Sequence, residues 1–288
     1  GKFMDSKKER VIKIGSRVLF WIVLGAFLAF ILLPMFWVIG ASLRPNAEIS
    51  ASTISLSINS FIPEIFTLEA YINIFTIRTF GKSLINTLII CAATIALGII
   101  VNAPAGLIFA KYRFKGKEGL FFIIMISFMV PFEAVAIPTY QLVSQLNLVD
   151  TYTAIILPTV ANGLIIFLFR QFFADIPDSM LEAATIDGAG FSRILVQIVV
   201  PLSKPVMISA GLMIFVWQWE SFLWPLVVAR KDSLRMIQIA LGDFRTEHAM
   251  LWNELMAACV ISLLLPLVFL MPFQKYYVQG IANAGIKD

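Results

Sequence analysis

Six long apolar segments, separated by shorter polar ones, dominate the pattern of hydrophobic and polar positions along the chain. A helix needs about 20 mainly apolar residues to cross a bilayer, and backbone polar groups in lipid must be bonded within their own segment. Each segment is long enough, so the pattern predicts an all-α polytopic membrane protein with six transmembrane helices. The predicted spans are residues 18–43, 83–110, 119–141, 151–169, 205–229 and 255–274.

The composition agrees with lipid as part of the solvent. Of the 288 residues, 59% are hydrophobic and 14% are charged, against about 45–50% and about 25% in soluble domains. A disordered chain, a fibrous chain and an ordinary cytosolic enzyme are therefore excluded. The first apolar run is too long for the hydrophobic region of a signal peptide, so we expect it to be retained as a span.

The distribution of Lys and Arg predicts the orientation of the chain. Counted over the tails and loops, 15 of them lie on the side that carries both termini and 7 lie on the other side. Positive residues collect in the cytoplasm, so both termini are predicted to be cytoplasmic. The basic residues form a collar at the membrane surface, which argues against nucleic-acid binding. The predicted organisation is a cytoplasmic N-terminal tail (1–17), a transmembrane domain (18–274) with outer loops 44–82 and 230–254, and a cytoplasmic C-terminal tail (275–288).

The predicted cytoplasmic loop, residues 170–204, is too long to be a simple connection and is expected to be structured and functional. Its sequence favours a helix from about Pro177 to Asp187, because proline suits the first turn and acidic residues suit the N-terminus. Gly188 is then predicted to end the helix, because glycine readily adopts the left-handed backbone conformation found there. A second short helix is predicted over about 191–199, ending before Pro201.

The same loop carries a recognisable motif. The run Glu182-Ala183-Ala184, followed by Gly188, Ile198 and Pro201, resembles the EAA loop of binding-protein-dependent ABC importer permeases. The resemblance covers nearly the whole chain and is closest to the sugar branch of that family. The other segments that carry it are Pro138-Thr-Tyr, Leu148-Val-Asp-Thr-Tyr152, Ile156-Leu157-Pro158, Phe222-Leu-Trp-Pro225 and the tail Tyr276–Asp288.

This resemblance implies that the loop helix, called the EAA helix below, is a coupling helix seated in a cleft of an ATPase subunit. Glu182 would pair with a cation of the ATPase, Ala183 and Ala184 would permit close approach, and Gly188 would set the turn. The coupling residues implied by the motif are Glu182, Ala183, Ala184, Asp187, Gly188 and Pro201.

The resemblance also implies the partners and the cargo. We expect a permease subunit in the bacterial inner membrane that translocates a sugar or oligosaccharide. Its expected partners are a second homologous permease, two ATPase subunits and an extracytoplasmic sugar-binding protein. No cofactor is expected in this chain, since ATP and Mg would bind the ATPase. The C-terminal tail either reaches the ATPase interface or is a frayed terminus.

The chain lacks the residues that a motor or an enzyme would need. The only Gly-Lys-Ser, at residues 81–83, has Thr76 where a phosphate-binding loop requires glycine. His248 is the single histidine, and Cys91 and Cys259 lie far apart in apolar runs. No catalytic or metal-binding constellation is therefore predicted, and the alternatives of a membrane-embedded enzyme or an ion-coupled carrier have less support.

Two carboxylates, Glu133 and Glu220, fall inside predicted spans. Ionisable residues at that depth are costly, so they are candidates for a translocation pathway together with Gln218. The alternative is that each faces water or pairs with a neighbouring helix, and the proline at 131 is a candidate helix break. The tryptophans at 217, 219 and 224 suit either an interfacial aromatic belt or sugar stacking.

Overall fold

The computed structural model describes residues 2–52, 61–244 and 250–276. Every regular element in these ranges is helical, which confirms the predicted all-α class. The α-helices are α1 Lys2–Ser42, α2 Asn46–Ser52, α3 Glu69–Thr76, α4 Phe80–Lys111, α5 Lys117–Met129, α6 Phe132–Gln145, α7 Tyr152–Val160, α8 Gly163–Ala174, α9 Asp178–Ile186, α10 Phe191–Ile194, α11 Val200–Leu202, α12 Lys204–Trp219, α13 Leu223–Val228, α14 Ile237–Ala240 and α15 Trp252–Leu270.

By length and apolarity, three helices and three bent helix pairs can cross a membrane within the described ranges. The continuous helices cover Gly15–Ser42, Phe80–Lys111 and Trp252–Tyr276. The pairs are α5 with α6, bent by 99°, α7 with α8, bent by 46°, and the helical segment Phe191–Leu202 with α12, bent by 88°. Six spans are therefore present if each pair counts as one, but they are less regular than predicted.

Three predicted spans are interrupted. The third breaks between Met129 and Phe132, because Pro131 adopts an extended backbone and has no N–H to donate. This confirms the predicted break beside Glu133. The predicted fourth span is two helices, separated at 161–162, and it continues to Ala174. The predicted fifth span ends at Trp219, and α13 follows after a gap.

The prediction that the second loop helix stops before Pro201 is wrong. The helical segment continues to Leu202, because residues Leu195–Val199 form a π-helical turn. A wider turn changes which carbonyl would meet the proline ring, so a proline that would break an α-helix is accommodated here. The segment ends at Ser203, whose N–H donates to the carbonyls of Val199 and Val200 at 3.0 and 3.2 Å.

The chain forms two compact units, residues 1–78 with 244–261, and residues 79–243 with 262–288. In the first unit an ion pair joins Arg78 and Glu254 at 2.9 Å between Nε and Oε2, and Asn73 donates to the same carboxylate at 3.3 Å. Glu254 is buried, so this carboxylate fixes the first turn of α15 rather than belonging to a wet loop.

The second unit is built around α4, which packs against α7, α8 and α12. Its core includes Leu107, Ile165, Phe169, Phe173 and Ile214, all of which are buried. Small residues allow α4 and α8 to approach closely. A Cβ atom placed on Gly106 would lie 2.4 Å from the Cβ of Phe169. Close packing through small residues is the usual basis of helix association in lipid, where the hydrophobic effect contributes little.

One buried side chain holds the break between α7 and α8. Asn102 of α4 is fully buried and donates to the carbonyl of Val160 at 2.8 Å, and it accepts from the N–H of Asn162 at 2.9 Å. These backbone groups have lost their helical partners at the break, so the Asn102 amide satisfies both of them. The bend in this span is thus built into the packing of α4.

Candidate functional site

The EAA helix is α9, Asp178–Ile186, which matches the predicted range to within one residue at each end. It ends in a left-handed glycine, since Gly188 has φ of +81°. The N–H of Gly188 donates to the Thr185 carbonyl at 3.0 Å, and the N–H of Ala189 donates to the Ala184 carbonyl at 2.9 Å. This is the bonding pattern of a Schellman motif, which fixes the direction of the chain after the helix.

One face of the EAA helix packs against the rest of the second unit, and the opposite face is exposed. Leu181 and Ala184 pack against the core cluster that contains Phe173. Glu182 and Ala183 are exposed, as are Asp187 and Gly188, while Ile186 is 86% exposed. An apolar side chain with that exposure on an ordered helix is a candidate contact for another protein.

The six predicted coupling residues therefore divide into two groups. Glu182, Ala183, Asp187 and Gly188 lie on or beside the exposed surface. Ala184 lies on the packed face, so its small size serves the contact with its own bundle. Pro201 is exposed in the segment that leads to α12.

A residue that sequence analysis missed fastens the EAA helix to the bundle. Lys111, at the end of α4, donates to the Ala174 carbonyl at 3.0 Å, to the Ile176 carbonyl, and to Oδ1 of Asp178 at 2.7 Å. One ammonium group thus joins the ends of α4 and α8 to the first residue of α9. No local signal in the sequence marks it among four basic residues of the same loop.

The Lys111 contact is electrostatically stable at neutral pH. The hydrogen bond and the charge of Lys111 hold the pKa of Asp178 below its ordinary value of 3.8. Because the pKa is lowered in the folded protein, the pair is complete above the ordinary pKa and is lost only as the pH falls through the lower value. The Lys111–Asp178 ion pair is therefore expected to be insensitive to pH between about 5 and 8.

Replacing Lys111 with methionine is expected to loosen the EAA helix without unfolding the bundle. Two charge-assisted bonds to backbone carbonyls are lost, so amide hydrogen exchange over residues 178–187 should accelerate by roughly fivefold. Lys115→Met is the control, because Lys115 is exposed in the same loop. Equal exchange rates in the two variants would contradict the proposed fastening role.

The three predicted pathway residues line one cavity. A cavity of about 580 Å³ in the second unit is bounded by Glu133, Gln218 and Glu220, a volume typical of ligand sites. The breaks at Val130–Pro131 and Ala161–Asn162 border it, as does the gap after α12 at Glu220–Ser221, whereas the bend at Ser203 does not. Irregular backbone at membrane depth is tolerated where it lines such a cavity. We call it the break cavity.

The break cavity is lined by polar side chains that lack hydrogen-bond or ion-pair partners within the described residues. Gln218 is 4% exposed and Thr94 is 1% exposed, and neither the Gln218 Nε2 nor the Thr94 Oγ1 has a hydrogen-bond partner within the described part of the chain. The carboxylates of Glu133 and Glu220 are exposed and form no ion pair with any described residue. Buried polar atoms are rarely left unbonded, which points to a polar ligand or water.

The three tryptophans of this region have different surroundings. Trp217 lines the break cavity and is 39% exposed. Trp219 is buried, stacks on Phe215 and donates its Nε1–H to the Ser262 carbonyl at 3.2 Å. Trp224 lines the cavity, but it is buried and donates to the Ala154 carbonyl at 3.0 Å. Trp217 is thus the tryptophan whose indole is most accessible to a ligand.

The described residues contain no group of three His, Cys, Asp or Glu side chains arranged to hold a metal ion. Most of the predicted C-terminal contact segment, residues 277–288, lies outside the described ranges, as does His248.

Comparison with known proteins identifies a family and a relative that match most of this chain. Residues 102–283 match the family described as the binding-protein-dependent transport system inner membrane component. The arabinooligosaccharides transport system permease protein AraQ of Halalkalibacterium halodurans is 33% identical over 280 residues, covering 94% of this chain and 98% of that relative.

Two other comparisons extend the range of relatives. The sn-glycerol-3-phosphate transport system permease protein UgpE of Yersinia pestis bv. Antiqua is 32% identical over 207 residues, covering 71% of this chain and 74% of UgpE. A chain from the crystal structure of a bacterial ABC transporter involved in the import of the acidic polysaccharide alginate has the same fold. Its TM-score is 0.80, with 23% identity, and the match covers 94% of this chain and 97% of that chain.

The family match and the two permease relatives account for the helical bundle and the non-catalytic character of the chain. The exposed EAA helix lies inside the matched residues. This chain therefore belongs to the binding-protein-dependent transport system inner membrane components, the multi-pass permease subunits of ABC importers.

Proposed function

We propose that this permease carries a sugar or oligosaccharide across the bacterial inner membrane, with both of its termini in the cytoplasm. Its partners would be a second homologous permease, two ATPase subunits that bind ATP and Mg, and an extracytoplasmic sugar-binding protein. The excess of Lys and Arg on the terminal side supports the orientation. The relative named for arabinooligosaccharides supports a saccharide cargo.

The observation that carries the proposal is the exposed face of the EAA helix. Glu182, Ala183 and Ile186 form a surface that is apolar at one end and acidic at the other. The opposite face of the helix is anchored by core packing and by Lys111. A helix held in this way can pass the movement of an ATPase subunit to the spans, since a rigid element does not absorb the displacement.

The break cavity is the proposed route of the cargo. Glu133, Gln218 and Glu220 offer hydrogen-bonding groups, and Trp217 offers an aromatic face. Concave sites with a few convergent polar groups are the usual binding places for small ligands. In this proposal the two states of the importer expose the cavity in turn to the two sides of the membrane.

The loop after α13 is the proposed docking place of the sugar-binding protein, and it is held in a defined shape. Asp150 accepts from the N–H groups of Arg230 and Lys231 at 2.6 and 3.1 Å. Asn86 of α4 donates to the carbonyls of Ser233 and Arg235 at 2.9 and 3.0 Å. A loop fixed by bonds to a span can transmit docking outside to movement within the bundle.

Gly188→Val is expected to reduce ATP hydrolysis stimulated by the binding protein by about tenfold or more in the reconstituted importer. Left-handed backbone costs an ordinary residue about 1–2 kcal/mol, and a β-branched residue is worse. Within the described part of the chain no neighbouring atom lies within 4 Å of a Cβ at this position, so the effect would come from the backbone and not from a clash. Gly188→Asn should keep most of the stimulation, because asparagine tolerates this conformation.

Gly190→Ala is the matched control. Gly190 has φ of −77° and open space around a Cβ, so alanine fits without strain. The unfolding temperature of the permease is expected to change little in Gly188→Asn and Gly190→Ala, and the strain in Gly188→Val is expected to be relieved by local rearrangement of this exposed turn. Stimulation at the wild-type level in Gly188→Val would count against the EAA helix as the coupling element.

A further inference from the structure

We propose that the break cavity selects an uncharged, polyhydroxylated cargo and excludes anions. The inference rests on the proposed function, because it assumes that the cargo passes this cavity. Relatives of the chain are named for both kinds of cargo, since arabinooligosaccharides are uncharged and sn-glycerol-3-phosphate is an anion. Family membership alone therefore leaves the charge of the cargo open.

The charge of the cavity wall carries the argument. Glu133 and Glu220 both line the cavity, and among the residues that the structure describes no Lys, Arg or His lines it. Neither carboxylate is neutralised by an ion pair within the described ranges. A concave site with one sign of charge concentrates the opposite sign and excludes its own, and acidic rings in pores act in this way.

Helix N-termini at the cavity do not restore a positive potential. At the start of α8, the Oδ1 of Asn162 accepts from the N–H groups of Leu164 and Ile165 at 3.0 and 3.2 Å, so those donors are occupied. At the start of α6, the carboxylate of Glu133 lies in the first turn and offsets the helix dipole. The donors at the start of α8 are thus occupied, and the positive end of α6 is offset by an acidic side chain.

The unpartnered polar atoms fit hydroxyl groups. The buried Nε2 of Gln218 can donate, and the buried Oγ1 of Thr94 can donate or accept. The two carboxylates can only accept. A sugar hydroxyl both donates and accepts, so it can satisfy all of these groups. An anionic group only accepts, so it could bond the Gln218 amide and the Thr94 hydroxyl but not the two carboxylates, whose charge would repel it.

The test measures the electrostatic potential of the cavity in the assembled importer. Ser221 lines the cavity and is half-buried, so Ser221→Cys is introduced with Cys91→Ala and Cys259→Ala. The rates of modification by a cationic (trimethylammonium) and an anionic (sulfonate) methanethiosulfonate reagent are compared with their rates on 2-mercaptoethanol. The cation-to-anion ratio, normalised in this way, is expected to be about tenfold or more.

The matched control adds Glu133→Gln and Glu220→Gln, which should bring the normalised ratio close to one. A ratio near one before this change, a preference for the anionic reagent, or no reaction with either reagent would overturn the proposal.

In a second arm, galactotriose and trigalacturonate, which share one ring skeleton and differ in their carboxylates, compete with the cationic reagent. Stronger protection by galactotriose is expected, and equal or stronger protection by trigalacturonate would overturn the assigned cargo class.

Failure of this inference is separable from failure of the proposed function. The labelling ratio reports the charges around Ser221, and the Glu133→Gln and Glu220→Gln control isolates the part that these two carboxylates contribute. ATP hydrolysis stimulated by the binding protein depends on the EAA helix and is measured on the unmodified importer. An importer that couples normally but labels without charge preference would retain the proposed function and lose this inference alone.

Discussion

Asn102→Leu is expected to destabilise the permease by about 2–6 kcal/mol. The change leaves the Val160 carbonyl and the Asn162 N–H buried without partners, and each such group costs about 1–3 kcal/mol. The side chain is fully buried, so water has no ready access to the vacated groups. The free energy of unfolding in a denaturing-detergent titration is the measurement.

Val101→Leu is the control for Asn102→Leu. It introduces the same side chain one residue earlier in α4, at a position that is 44% exposed. We expect its unfolding free energy to lie within about 0.5 kcal/mol of the wild type. A similarly small effect of Asn102→Leu would show that the bend at 161–162 does not depend on the amide. Asn102→Leu should also abolish transport, because the break at 161–162 borders the break cavity.

Gly106→Val has the second large expected effect. The Cβ atom alone would lie 2.4 Å from the Cβ of Phe169 and 3.2 Å from the backbone nitrogen of Arg170. A backbone neighbour cannot rotate away, so α4 and α8 must separate. Overpacking of this kind costs about 1–3 kcal/mol or more, and the assembled importer should be recovered in lower yield with a lower unfolding temperature.

Gly119→Val tests whether the effect at Gly106 comes from the close approach of α4 and α8. Gly119 also lies in a helix, but no neighbouring atom of the described residues lies within 4 Å of a Cβ placed there. Both variants replace a helical glycine with valine, so a large excess effect at Gly106 is attributed to the contact with α8. Equal unfolding temperatures for the two would contradict the close packing described here.

The EAA helix was predictable because its signals are local. Pro177 and Asp178 favour a helix start, and Gly188 favours a left-handed end, all within one stretch of chain. The spans were predictable for a similar reason, since the length of an apolar run decides whether it can cross a bilayer. The sequence suggested a translocation pathway at Glu133, Gln218 and Glu220, because ionisable side chains are costly within a span. The fold places all three residues around one cavity.

The helix breaks were only partly predictable. Pro131 marks the first one directly, since it lacks an N–H. The break at 161–162 depends on Asn102, about 60 positions earlier in the chain, whose amide replaces the missing helical bonds. The tie from Lys111 to Asp178 also joins residues far apart in sequence. No pattern within a window of the sequence contains such pairs.

The sequence by itself determined the membrane class, the number of apolar segments, the EAA helix and the family of the protein. These depend on composition, on segment length and on neighbouring residues, which act before the chain folds. Only the tertiary structure decided where the spans bend, which face of the EAA helix is exposed, and which polar groups share a cavity. Those features depend on side chains that meet across different helices, so they exist only once the bundle has packed.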